Sequence, residues 1–264
     1  MYRPSSFSQL PEIVKNLLII NGLFFLATIS LESYGINFTE WFALHPFQSP
    51  DFKPYQFITH MFMHGNFTHL LFNMFALWMF GKTLENVWGG KRFLIYYIVT
   101  GLGAMILYSI VQQIQFSVLE AKMTIEQIQH VASDKGYECY KEMIRLSQNG
   151  QTQFGNIFFS TYQIESQNMV DLISLYYNPV LGASGAVFGI LLAFGMLFPN
   201  TLLYIYFAIP IKAKYFVIIY GIMELYAGIS NNPADNVAHF AHLGGMLFGF
   251  ILLKYWQKNN TQFY

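Results

Sequence analysis

Charge is what this sequence has least of. Only 11% of its 264 residues are Asp, Glu, Lys or Arg, against roughly 25% in a soluble domain, too few to coat a surface that faces water. The charges it has cancel: 14 basic and 14 acidic residues leave a formal net charge of zero, which gives no reason to expect a nucleic-acid partner. Cysteine is nearly missing. Cys139 stands alone, so there is no internal disulfide, no CxxC pair and no Cys/His zinc spacing, and Cys139 reads as an inert thiol. Internal repeats and low-complexity tracts are absent. The polar lead of about fifteen residues lacks the small-residue cleavage pattern of a secretory signal, so the first apolar stretch reads as an anchoring helix.

What fills the chain instead is apolar: 54% of it is hydrophobic and 19% aromatic. A spanning helix needs about 20 mostly apolar residues, and six candidates appear. They are Leu17 to Leu31 with its flanks, Phe57 to Phe80, Phe93 to Ile114, Ser184 to Phe198 (short, closed by Pro199-Asn200), Lys214 to Gly228, and Val237 to Trp256. The fold class is therefore all-α, a polytopic bundle of six transmembrane helices forming one membrane domain over 1–264. Thr201 to Ala208 is apolar too, but its Tyr/Ile/Phe content and the following Pro210 suggest an extended or surface-lying segment. With six spans, Arg3, Lys15, Lys82, Lys91, Arg92, Lys212, Lys214, Lys254 and Lys258 share one side, and short loops rich in Lys and Arg stay cytoplasmic. Both termini are expected inside.

Residues 115–178 form a long polar insertion between the third and fourth spans, on the outer side. Thr124 with Gln127 reads as a capping box. Tyr137, Tyr140 and Ile144 repeat at helical spacing up to a stop at Asn149-Gly150. Two or three short extracytoplasmic helices are expected here.

The chemistry gathers at one depth. Gly182-Ala183-Ser184-Gly185 opens the fourth span and Ala241-His242-Leu243-Gly244-Gly245 the sixth, placing a small-flanked serine and a small-flanked histidine near the outer ends of two helices. Gly185, Gly189, Gly245 and Gly249 add the spacing that lets membrane helices approach closely. The second span carries His60, His64, His69 and Asn73, and His69 and Asn73, four apart, share a helical face. Polar groups inside a bilayer are costly and usually face the bundle interior or a water-filled cavity. A serine becomes a nucleophile when a base lies within hydrogen-bond reach, and His242 is the candidate. Each motif also has a plain explanation: glycine and serine serve helix packing, and Asn73 can bond a neighbouring backbone. Two histidine pairs, His60/His64 and His239/His242, have metal-like spacing, but without a nearby carboxylate they make a poor zinc site, and neither metal nor cofactor is expected. Glu224 reads as a gating residue or a carboxylate reaching for the outer interface. Glu85 reads as a cap or brace of the inner loop.

The stretches His64-Gly-Asn-Phe-Thr-His69-Leu-Leu-Phe-Asn73, Gly81-Lys-Thr-Leu-Glu85, Gly182-Ala-Ser184-Gly185 and Ala241-His242-Leu-Gly-Gly245 resemble the rhomboids, a family of six-span intramembrane serine proteases. The resemblance covers the second, fourth and sixth spans in order. It implies that Ser184 is the nucleophile and His242 its general base, a dyad with no acid partner. It also implies that His69, Asn73 and the Ser184 backbone N–H form the oxyanion hole, and that Phe188 packs under the histidine where the family often has tyrosine. Tyr55-Gln56 replaces the family's Trp-Arg in the first outer loop, and the 115–178 insertion is longer than a six-span core needs. The resulting expectation is an intramembrane serine endopeptidase of the bacterial plasma membrane, whose partners are the lipid bilayer and transmembrane protein substrates. A catalytically silent relative that binds transmembrane helices for quality control would be expected to lack the serine or the histidine. A small transporter would need polar residues in the inner half of the membrane, where little besides Glu85 is found.

Overall fold

A computed structural model describes residues 10–149, 155–205, 208–230 and 237–259. The described chain is mostly helical and divides into two compact units, one of residues 1–43, 55–108 and 181–264 and the other of residues 44–54 and 109–180.

The first unit begins with α1 (Glu12–Glu32) and the short α2 (Phe38–Phe42). Pro11 precedes α1 and offers no side-chain cap. The buried carboxylate of Glu85 takes that place, accepting the backbone N–H groups of Ile13 at 2.9 Å and Val14 at 2.8 Å, where orphan donors and the helix dipole both favour an anion. The second predicted span, Phe57 to Phe80, is not one helix. It consists of α3 (Gln56–Thr59), a 3₁₀ turn at His60–Phe62, and then α4 (Phe67–Ala76), which passes through a π turn at Leu77–Gly81 into α5 (Lys82–Trp88). The break has a local cause: Met63 is extended (ψ 142°), and Asn66 is extended as well and caps α4 by accepting the His69 N–H at 2.8 Å. His60 and His64 therefore do not share a helix face, and the metal-like spacing read for them is lost.

A 31-residue helix, α6 (Gly90–Glu120), follows. Together α1 and α6 are the described helices long and apolar enough by themselves to cross a membrane. The second unit takes in the end of α6 and holds α7 (Ile125–Val131), α8 (Asp134–Gln148), α9 (Asn156–Tyr162) and α10 (Gln167–Tyr177), so the insertion has four short helices where two or three were expected. Thr124 and Gln127 do form the capping box. The α8 helix stops at Asn149, while Gly150 lies outside the described residues. These helices bury their own core, including Phe116, Val131, Cys139, Met169, Ile173 and Tyr177. Burial pushes the Cys139 thiol up to about 12, which keeps it protonated and unreactive at neutral pH.

The chain returns to the first unit with α11 (Ser184–Leu197), and a hairpin follows in which β1 (Leu202–Ile205) pairs antiparallel with β2 (Ile209–Lys212), Leu202 opposite Lys212. The segment predicted as extended is thus a strand over its first part. Pro210 sits in β2, which a two-stranded edge tolerates. Two helices complete the unit, α12 (Ala213–Ser230) and α13 (His239–Asn259). Of all these elements, α11 is the central one: Ala186, Ile190 and Ala193 are fully or almost fully buried. By contrast Leu23 and Leu26 of α1, Ile218 and Ile222 of α12, and Leu247 and Ile251 of α13 are exposed. An apolar rind around an apolar core is what a lipid-facing bundle requires, and water would not tolerate it at this scale.

Candidate active site

The site is set by how α11 begins. Gly182 has φ +128° and donates its N–H to the His60 carbonyl at 2.9 Å. A Cβ there would lie 2.8 Å from His69 Cε1 and 2.9 Å from Nε2, so glycine is required both for the backbone conformation and for the close approach of the imidazole. The same point lies 3.6 Å from Ser184 Oγ, which brings the His69 ring and the serine to one place. Ser184 is the first residue of α11. Backbone N–H groups in a first helical turn have no intrahelical acceptor and sit at the positive end of the dipole, an environment that favours negative charge.

His242 comes from the first turn of α13, 58 residues later, and its Nε2 lies 2.8 Å from Ser184 Oγ. Its other ring nitrogen, Nδ1, lies 2.8 Å from Oε2 of Glu224 on α12. That same oxygen lies 2.7 Å from Nδ1 of His239. A carboxylate only accepts, so both imidazoles carry their proton on Nδ1. For neutral His242 this leaves a lone pair on Nε2, facing the serine hydroxyl. The resemblance implies a histidine without an acid partner, and no carboxylate is expected near His239 and His242; Glu224 supplies one to both. Phe188 lies flat on His242, ring centroids 4.1 Å apart and 6° from parallel.

Asn73 is buried one turn beyond His69 and donates from Nδ2 to the His69 carbonyl at 3.0 Å, the plain backbone bond that the sequence also allowed. The amide has a second N–H, which that bond leaves unused. The buried His64 ring stands edge-on to His69 at 5.0 Å, and among the described residues neither of its ring nitrogens has a hydrogen-bond partner.

The four glycines act differently from one another. A Cβ on Gly245 would run into the backbone carbonyl of Gly185, so α13 and α11 touch main chain to main chain there. The open sides of Gly185, Gly189 and Gly249 instead face α6, at Ala104, Thr100 and Tyr96. The Tyr96 hydroxyl uses the room to donate to the Gly189 carbonyl at 2.9 Å. The expected face-to-face pairing of two glycine stripes is thus a single contact, and α6 fills the rest.

Among the described residues, Glu224, His239 and His242 form the one group whose ligand atoms lie within 4.8 Å of each other. Two imidazoles and a carboxylate are a donor set that zinc accepts. As placed, the three are closed on each other by hydrogen bonds of 2.7 and 2.8 Å, tighter than the spacing of about 3.3 Å between ligands around a tetrahedral zinc at 2.0–2.1 Å.

The sequence matches the family model of the Rhomboid domain over residues 51–118 and 142–258. It is similar to rhomboid-like protein 11, chloroplastic, of Arabidopsis thaliana, 35% identical over 94 residues that make up 32% of this chain and 31% of that one. It is also similar to a candidate rhomboid protease, YdcA, of Bacillus subtilis, 40% identical over 75 residues, or 28% of this chain and 31% of the relative. An uncharacterised mitochondrial rhomboid protein of Schizosaccharomyces pombe is 34% identical over 87 residues, 31% of this chain and 22% of the relative. The similarity thus spans less than a third of the length of each of these relatives.

Proposed function

The chain belongs to the rhomboid family of integral membrane proteins, and on that footing we propose that it is an intramembrane serine endopeptidase that cuts transmembrane segments of other membrane proteins. The observation that carries the reading is the 2.8 Å approach of His242 Nε2 to Ser184 Oγ at the head of α11. Ser184 attacks the scissile carbonyl while His242 takes its proton. The oxyanion that forms is met by the Ser184 N–H, Asn73 and His69. His242 returns the proton to the leaving amine, and a water entering from the outer face repeats the sequence to release the acyl group. A peptide bond inside a helix is shielded by its own hydrogen bonds, so the substrate must unwind locally, entering between the second and fifth of six spans. Both termini are assigned to the cytoplasm and the protein to a bacterial plasma membrane.

Covalent labelling of the purified protein by a fluorophosphonate, lost in Ser184→Ala, tests the assignment. A helix-binding protein without activity would not be labelled, and absence of labelling in the unsubstituted protein would defeat the proposal.

Asn73 gives a graded test. Removing one oxyanion donor typically costs about 10²–10³ in turnover. Asn73→Ala is expected to lower kcat by that factor with KM changed by less than about threefold, because the donor acts on the transition state. A large rise in KM at unchanged kcat would place Asn73 in substrate recognition instead.

The 115–178 insertion enters this reading as a substrate selector. Ser184, His242, His69 and Asn73 all belong to the first unit, and the insertion folds around a core of its own. Replacing it with a short flexible linker is expected to leave fluorophosphonate labelling intact while changing which reporters are cut, or how fast. Unchanged labelling with unchanged substrate choice would mark it as a passive loop, and lost labelling as a structural element.

A further inference from the structure

The resemblance implies for His242 a base that works without an acid. The arrangement around His242 is different. Glu224 Oε2 accepts the Nδ1–H of His242 at 2.8 Å and that of His239 at 2.7 Å. The three side chains are only 10–13% exposed, so both bonds are made largely out of water, where a charge-assisted hydrogen bond counts for more. A carboxylate in such a place is costly unless it is paired. Two imidazole donors on one oxygen supply the pairing and hold the group still.

We infer that Glu224 is the positioning acid of a Ser184–His242–Glu224 triad, with His239 as the second donor that pins the carboxylate. The inference rests on the serine-peptidase reading above. Glu224 keeps the proton of neutral His242 on Nδ1, so that the Nε2 lone pair stays aimed at the serine. When the Ser184 Oγ–C bond forms, the hydroxyl proton moves to Nε2 and His242 becomes an imidazolium. Its Nδ1–H stays on the ring, and the positive charge is balanced by the carboxylate, which is not itself protonated. Collapse of the intermediate breaks the peptide C–N bond and sends the Nε2 proton to the leaving amine. Phe188, stacked on the same imidazole, fixes the plane, whereas Glu224 fixes the tautomer and the rotation within that plane. Without the carboxylate the ring can turn or shift its proton to Nε2, and the base is then a donor facing a donor.

Glu224 also ties α12 to α13, and a clamp between helices is the competing use of the same bonds. The two differ in sign. Loosening a clamp eases entry of a bulky helix, so it raises turnover of a protein substrate and leaves reaction with a small probe alone. Losing an orienting acid slows both.

The test compares the unsubstituted protein with Glu224→Gln and His239→Gln, reading kcat and KM on a single-span reporter, the rate of fluorophosphonate labelling, and the melting temperature. Glu224→Gln is expected to lower kcat and the labelling rate together by about 10²–10⁴-fold, with KM within about threefold. His239→Gln, which spares the bond from Glu224 to His242, is expected to stay within about tenfold of the unsubstituted rates. If Glu224→Gln fails to fold, Glu224→Asp decides, since drawing the carboxylate back by one methylene should cost at least about tenfold in labelling rate. Labelling and turnover at or above the unsubstituted rates in the folded carboxylate variant would overturn the triad, as would a loss confined to KM. Failure of the unsubstituted protein to label would defeat the serine-peptidase reading itself, whereas normal labelling beside an unaffected Glu224→Gln would defeat only the role of Glu224.

Discussion

Ser184→Ala is expected to bring cleavage of a single-span reporter below detection, a fall of at least about 10⁴-fold in kcat, with little change in melting temperature. Ser184 is half-buried, and its hydroxyl donates to His242 Nε2. The loss of one such bond costs about 1 kcal/mol, a shift of a few degrees at most. His242→Ala is expected to be equally inactive but less innocent structurally. That side chain is buried, stacked on Phe188 at 4.1 Å and bonded to Glu224 at 2.8 Å. Truncation leaves a cavity beside a carboxylate that has lost one of its two imidazoles, and about 2–4 kcal/mol of stability should go with it. Ser184→Ala is therefore the cleaner test of chemistry. Cleavage at the unsubstituted rate by a verified Ser184→Ala protein would remove the nucleophile from the proposal.

Gly245→Val is expected to damage stability and activity together. The first atom of any side chain at position 245 would fall onto the Gly185 carbonyl, with the carbonyl carbon 2.7 Å and the Cα 3.2 Å away. Main chain inside a buried helix cannot swing aside as a flexible side chain can, so α11 and α13 must part. Overpacking of this kind typically costs about 1–3 kcal/mol or more. Gly185 follows the serine directly and Gly245 lies one turn from His242, so the added separation is delivered to the 2.8 Å bond between Ser184 and His242. A displacement of about 1 Å near the chemistry can cost about 10²-fold. Thermal unfolding in detergent and reporter kinetics should therefore fall in parallel. A Gly245→Val protein as stable and active as its parent would mean that the two backbones are not in contact.

The contrast between these residues and Glu224 shows where the sequence stops being legible. His69 and Asn73 are four apart on one helix, and that spacing alone sets them on one face. Ser184 stands at a helix start because Gly182 precedes it and an apolar run follows. The scarcity of charge and the apolar runs pointed to a membrane bundle, and the Thr124–Gln127 capping box was readable because its partners are three apart. All of these are consequences of local geometry, with helical periodicity as the ruler.

What needed the tertiary structure lies between elements. Glu224 and His242 are 18 residues apart on different helices, and no periodicity says which face of α12 turns toward α13. A carboxylate in an apolar run was a signal that something would pair with it, but its partner depended on the packing of α12 against α13. The role of Glu85 at the start of α1, 71 and 72 residues away, was hidden for the same reason. So was the division of the glycines between α6 and the contact of α11 with α13, because a missing side chain records that something comes close without recording what. The break in the second span was masked by the apolar residues on either side of it: Met63 leaves the helical conformation and Asn66 caps the next helix. Composition and spacing along the chain thus determined the lipid-facing bundle and the candidate serine, histidines and asparagine within it. Which of those pieces meet, and that His242 has an acid beside it, was decided by helix packing, since distances across helices follow from how surfaces fit and not from how residues are counted.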